Sequence, residues 1–191
     1  MTLSLVVAAG LKVGQHLSDE RIEALQAAER EEQARLRALG LLAYRPRSAA
    51  EIRQRLSRAG IAAEDIERTL AGLERVGLVD DLAFAQAWAE SRVRARPRSR
   101  RAIARELRQK GLADEAIQRA LASVPSDEEI ALRLAQSHLP KLRGLAPLER
   151  KRRISAFLLR KGFDYDTVTD VLARVEHALS AGTPSEGDVL G

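Results

Sequence analysis

Residues Arg92–Gly111 read R-V-R-A-R-P-R-S-R-R-A-I-A-R-E-L-R-Q-K-G, with nine Lys/Arg and one acid, Glu106. The stretch is the middle copy of a pattern that occurs three times. Stepping back 51 residues from Arg96-Pro97-Arg98-Ser99 reaches Arg45-Pro46-Arg47-Ser48, the same four residues. The same step joins Gly60, Gly111 and Gly162; Ile52, Ile103 and Ile154; and Leu56, Leu107 and Leu158. Self-similarity at such a period is the mark of a repeat architecture, in which each copy is one supersecondary unit. Arg92–Gly111 is therefore a repeat unit to which positive charge has been added.

The repeat reads as helical. Ser48-Ala-Ala-Glu51 has the spacing of a capping box, in which the hydroxyl and the carboxylate each accept a free N–H at the helix start. Ile52 and Leu56 share one face, and Gly60 sits where a left-handed glycine closes a helix in a Schellman ending. That geometry predicts contact between Leu56 and Ile61, and in the later copies Leu107 with Leu112 and Leu158 with Phe163. After each glycine an acid-led segment opens a third helix, at Glu64-Asp65, Asp114-Glu115 and Asp164. Lead helices are expected from Asp80-Asp81, carrying Phe84 and Trp88, and from Ser126-Asp127, carrying Ile130 and Leu134. Helices of about 12 residues are marginal alone, so each triplet must bury its apolar stripes internally.

Outside the repeats, Leu3–Ala8 is a short β-capable run. Ser18 caps a long helix running to about Ala43, with Ile22, Leu25, Leu36, Leu39 and Leu42 as its apolar positions. The third copy departs from the other two. Its connector is Leu145-Ala-Pro147-Leu148, without the Arg-Pro-Arg-Ser. The tail from Gly182 has the composition of a disordered segment. The predicted architecture is all-α, three tandem three-helix repeats in an elongated arrangement. Its parts are an extension at 1–17, repeats at 18–78, 79–125 and 126–181, and a tail at 182–191.

Composition narrows the function. Cysteine is absent, which excludes disulfides and thiolate metal sites. His16, His138 and His177 lack ligand spacing and are expected on the surface. No apolar run approaches a membrane span, and Met1–Ala9 lacks the charged start of a signal peptide. The expectation is a cytoplasmic protein, a monomer, with no membrane contact and no cofactor. No phosphate loop, nucleophile elbow or zinc-protease motif is present, so an enzyme is not expected. Asp80-Asp81 reads as a helix cap, and Trp88 as core.

The formal charge of +5 is unevenly spread. Residues 1–91 hold 12 basic and 14 acidic groups, 92–110 hold nine and one, and 164–191 hold one and six. Of the 32 basic residues only five are Lys. Arg is the better fork for phosphate and carboxylate, although a GC-rich genome would produce the same bias. A concentrated positive centre between acidic ends points to a polyanionic partner. The expected contact residues are Arg92, Arg94, Arg96, Arg98, Arg100, Arg101, Arg105, Arg108 and Lys110. A second cluster, Arg150, Lys151, Arg152 and Arg153, is placed at the equivalent helix start of the third repeat. If Arg98, Arg100 and Arg101 only serve binding, reversing all three should leave the fold intact. Tri-helical units with a basic helix also fit a stand-alone helix-turn-helix-like DNA-binding protein or transcriptional regulator. Side chains poised for base reading are scarce, with Gln109 and Gln118 isolated, so backbone contact is the expectation.

Four segments stand out: Gly40-Leu-Leu-Ala-Tyr-Arg-Pro-Arg-Ser48 with Glu51-Ile52 and Leu56…Gly60; Gly77-Leu-Val-Asp-Asp-Leu-Ala-Phe-Ala-Gln-Ala-Trp88 with Arg92 after it; Glu106-Leu-Arg-Gln-Lys-Gly111; and Leu158-Leu-Arg-Lys-Gly-Phe-Asp-Tyr165. Together they resemble the RecX family, bacterial regulatory proteins that modulate the RecA recombinase. The resemblance covers about residues 10–180. It implies three tandem three-helix repeats lying along the groove of a RecA–single-stranded DNA filament. It also implies interference with filament growth, ATP turnover, strand exchange and the SOS response, no catalytic residues, and a positive face for filament or DNA.

Overall fold

A computed structural model of the protein describes residues 7, 9–12 and 14–181. The strand expected at Leu3–Ala8 falls, Val7 apart, outside the described residues, as does the tail from Gly182. The described chain is all-α. Its helices are α1 (Asp19–Tyr44), α2 (Ala49–Arg58), α3 (Ala63–Arg75), α4 (Asp81–Ala95), α5 (Arg100–Gln109), α6 (Asp114–Ala122), α7 (Asp127–His138), a 3₁₀ turn (Leu139–Leu142), α8 (Pro147–Arg160) and α9 (Tyr165–Ala181). They form two compact units: Met1–Phe84 with Lys110–Leu112, and Ala85–Gln109 with Ala113–Gly191.

In the first unit, Ser18 caps α1 by accepting the Arg21 N–H. The buried face of α1 is Leu25, Ala34 and Ala38, whereas Ile22 and Leu36 are 39% and 51% exposed. The expected leucine stripe is thus partly replaced by alanines. Residues without bulk beyond Cβ allow α1 to lie close against α3 and α2. The core comprises Ala38, Ala49, Ile52, Leu56, Ile66, Leu70, Leu73 and Val79. At Gly60 (φ +78°) the Ile61 N–H donates to the Leu56 carbonyl at 3.2 Å, and the Gly60 N–H to the Ser57 carbonyl at 3.0 Å. This is the Schellman pattern read from the sequence. Gly77 closes α3 by the same device, with the Leu78 N–H on the Leu73 carbonyl at 2.9 Å.

The capping box at Ser48 forms only by half. Ser48 Oγ accepts the Glu51 N–H, but the Glu51 carboxylate does not turn back to the backbone. It accepts two N–H bonds from Arg45, at 2.9 and 3.2 Å, and one from Lys110 at 2.8 Å. Charged donors outcompete a neutral amide for a carboxylate. A complete capping box instead opens α7, between Ser126 and Glu129.

Ser48 also acts as a joint. It is fully buried, and its hydroxyl donates to the Lys110 carbonyl at 2.7 Å while Asp81 Oδ1 accepts the Ala49 N–H at 2.9 Å. Gly111 lies against the same helix start. A Cβ on Gly111 would stand 2.3 Å from the Ala50 Cβ.

The second unit repeats this joint. Ser99, also fully buried, accepts the Ala102 N–H and donates to the Gly162 carbonyl at 2.7 Å. Its own N–H donates to the Lys161 carbonyl, and Asp127 Oδ1 accepts the Arg100 N–H at 2.7 Å. A Cβ on Gly162 would meet Ser99 Oγ at 2.9 Å. Within each unit a serine thus receives the glycine turn of a later copy, Lys110-Gly111 or Lys161-Gly162, and an acid that leads a helix, Asp81 or Asp127, covers an unsatisfied N–H. Asp80, the neighbour of Asp81, is the N-cap of α4 and accepts the Ala83 N–H. The third copy has no such serine: α8 starts at Pro147 after Ala146, which makes no side-chain cap.

The core of the second unit includes Ile130, Ala135, Leu142, Ile154, Leu158, Phe163, Val168, Val171, Leu172 and Val175. Proline at the first helical position, where its missing N–H costs nothing, starts α8 earlier than the 51-residue register predicts. Arg150–Arg153 consequently lie on its second turn, not at its start. His16 and His177 are exposed, but His138 is half-buried and stacks on Phe157 with ring centroids 4.3 Å apart. Among the described residues there is no cluster of metal-ligating side chains, and no helix is long and apolar enough to cross a membrane.

Glu51 couples the first joint to pH. Burial pushes its carboxyl up, but the hydrogen bonds from Arg45 and Lys110 outweigh that and hold it at about 2. A carboxylate held below its unfolded value contributes stability that is present above the ordinary range and lost as pH falls through the folded value. Between pH 5 and 2 the urea midpoint of the protein should therefore fall. In Glu51→Gln the midpoint should start lower and fall less steeply, a difference of about 1–2 kcal/mol at pH 6. Parallel pH profiles for the two proteins would contradict the assignment.

Candidate functional site

The middle copy adds charge to a helix whose other face is already committed. On α5, Ile103, Ala104 and Leu107 are buried, so the helical period places Arg101, Arg105 and Gln109 in one outward line. Arg98 approaches from the connector before α5. Together these four, with Ala102, Glu106 and Gly162, line a hollow of about 260 Å³. Gly162 is the glycine held by Ser99, so the second joint also sets one wall of the hollow.

Glu106, the lone acid of the stretch, organises the neighbouring cations. Its Oε2 accepts from Arg92 Nε at 2.5 Å and from Trp88 Nε1 at 3.0 Å. Its Oε1 lies 3.6 Å from Arg98. The Arg92 guanidinium stacks over the Trp88 ring at 4.3 Å, an arrangement that favours both the cation and the indole. Trp88 is half-buried in this cluster, rather than deep in the core as expected. Arg92 is accordingly a positioning group.

The remaining expected contact residues divide sharply. Arg100 is half-buried and donates to the Leu121 carbonyl at 2.6 Å; it holds α5 to the end of α6. Lys110 is committed to Glu51, and Arg108 to Asp114 at 2.7 Å. Arg153 pairs with Glu149 one turn back, and Lys151 stands 3.6 Å from Glu176. Arg94, Arg96, Arg101, Arg105 and Arg152 are exposed with no ion pair among the described residues; Arg150 is half-buried, also without one. Arg101 lies within electrostatic reach of Asp127 and Asp164. Arg94 lines a separate hollow of about 540 Å³ together with Arg133, Val93 and Ile130. Lys151 and Arg152 line another, with Leu148, Leu159 and Tyr165. The two basic clusters therefore face different hollows.

Comparison of the first and middle copies explains where the free charge comes from. In the first, Arg45 is paired with Glu51 and Arg47 donates to the Leu41 carbonyl at 3.0 Å. The residue equivalent to Glu51 in the middle copy is Ala102, and Arg96 has no ion pair among the described residues. The Arg-Pro-Arg-Ser motif thus carries a shared structural serine and arginines whose commitments differ. The role of that serine has a signal in the sequence, its loss in the third copy, whose connector is Leu145-Ala-Pro147-Leu148.

Models of the first, second and third three-helix domains of RecX match residues 34–73, 80–121 and 126–172. A regulatory protein RecX of Streptomyces coelicolor is 38% identical over 159 residues, spanning 82% of this chain and 85% of the relative. Another, of Amycolatopsis mediterranei, is 39% identical over 137 residues, spanning 71% and 78%. A crystal structure titled regulatory protein RecX has a TM-score of 0.72 and 25% identity, covering 88% of this chain and 85% of that one.

Proposed function

Since the chain belongs to the RecX family of regulatory proteins, we propose that it binds the RecA–single-stranded DNA filament and restrains its growth and ATP turnover. The observation that carries this reading is the hollow on α5. Arg98, Arg101 and Arg105 converge there with Gln109, and Arg101 and Arg105 are exposed, without an ion pair among the described residues. Unpaired, exposed arginines one helical turn apart suit successive phosphates of a nucleic-acid backbone. Their partner surface is polyanionic and read without sequence preference, since the only amide on that line is Gln109. The proposed mechanism is occlusion: the basic face lies across DNA and the protomers that hold it, and blocks exchange of either.

The test is RecA ATPase on single-stranded DNA with and without saturating protein, with filament length followed in parallel. The expected result is a fall in both. An unchanged rate and unchanged length would refute the proposal. Tight, sequence-selective binding to duplex DNA in the absence of RecA would favour a stand-alone DNA-binding protein instead.

A further inference from the structure

Between α1 and α3 of the first unit lies a hollow of about 280 Å³ that the basic face does not use. Its wall carries Arg35, Arg68 and Arg75 against one acid, Glu31, and its apolar side is formed by Leu73, Val76 and Leu78. Val76 and Leu78 are 66% and 51% exposed. Arg75 has no ion pair among the described residues, and Arg35 only a 3.9 Å approach to Glu32. Arg68 is held by Asp65 at 2.6 Å.

A further observation points to an occupant. Gly72, on the same wall, sits inside α3, where glycine is unfavourable. A Cβ at Gly72 would meet nothing within 4 Å, so the fold itself does not demand glycine there. The sequence gives up helix stability at the position that keeps the hollow open.

We propose that this hollow is a second docking site, for a protein segment bearing a carboxylate next to an aliphatic side chain. The carboxylate enters between Arg75 and Arg35, while the aliphatic group covers Val76 and Leu78. The net positive wall and the exposed aliphatic pair favour such a segment over nucleic acid, whose backbone would leave the apolar side uncovered. The proposal rests on the filament reading above, with the segment supplied by the recombinase protomer rather than by DNA.

The test measures binding of the full-length protein to RecA–single-stranded DNA filaments and to bare single-stranded DNA. The variants are Gly72→Leu, which fills the hollow, and Arg75→Glu. Each should weaken filament binding at least about tenfold, the loss of one good anchor, and leave bare DNA binding unchanged. Gly72→Leu should also raise the melting temperature, because leucine is the better helix former, which separates lost binding from lost fold. Filament affinity equal to wild type would overturn the proposal, as would an equal loss on bare DNA. Absence of filament binding by the wild type would instead remove the reading on which it rests.

Discussion

Gly111→Ala is expected to destabilise the protein by about 3–4 kcal/mol, while Gly60→Ala, at the equivalent position of the first copy, costs about 1 kcal/mol. Both glycines have φ +78°, so both substitutions force alanine into the left-handed region, at a similar penalty. The difference is the neighbour. At Gly60 an added Cβ meets nothing within 4 Å, whereas at Gly111 it stands 2.3 Å from the Ala50 Cβ. Alanine cannot yield there without moving α2, whose start is tied by Ser48 to the Lys110 carbonyl and by Asp81 to the Ala49 N–H. Gly162→Ala should fall between the two. Its added Cβ meets Ser99 Oγ at 2.9 Å and Ala102 Cβ at 3.0 Å, and the hydroxyl has some freedom to move. Urea unfolding of the three variants measures the order directly. Equal losses at Gly60 and Gly111 would show that the penalty is backbone strain alone and that no joint exists.

Arg101→Glu with Arg105→Glu is expected to weaken binding to single-stranded DNA and to the filament by at least about a hundredfold. Two charge-assisted hydrogen bonds are lost, each of about 1.5–3 kcal/mol. The log–log salt dependence on bare single-stranded DNA should flatten by about 1.4, or 0.7 for each phosphate contact removed. Unfolding stability should stay within about 0.5 kcal/mol of wild type, because both side chains are exposed and make no ion pair among the described residues. Arg100→Glu provides the contrast. Its guanidinium supports the Leu121 carbonyl from a half-buried position, so an acid there should cost about 2 kcal/mol of stability through an unmet, repelled acceptor. The triple reversal that includes Arg100 would therefore confound binding with folding. An Arg101/Arg105 double variant that binds like wild type would move the contact surface away from α5.

Much of this fold is written in the 51-residue spacing. Helix ends at Gly60 and Gly162, the acid-led third helices and the cap at Ser18 all follow from local rules that act over four or five residues. What escaped the sequence lies between copies. Ser48 reaches Lys110 and Ser99 reaches Gly162 across more than sixty residues, and no local pattern states such a partner. The same blindness affected Glu51, whose spacing from Ser48 suits a capping box until Arg45 and Lys110 are brought to it. Within the basic stretch, composition marked nine cations alike. Only the folded chain separates Arg101 and Arg105, which face outward, from Arg100, Arg92 and Lys110, which hold the scaffold. The hollow between α1 and α3 has no local signature, since its walls come from two separate helices. Gly72 was its one visible trace, as a glycine inside an otherwise good helix.

The serine–glycine joint has a direction. A repeat offers a socket at the start of its second helix and a plug at that helix's end, and the plug enters the socket of the repeat before it. The first copy's plug, Gly60, is unclaimed, and the third copy's socket is missing because Ala146-Pro147 replaces the serine. Among the described residues the joints therefore form a short series, at Ser48 and at Ser99, that stops where the serine does. Restoring a serine ahead of α8 would be the first step in building a longer one.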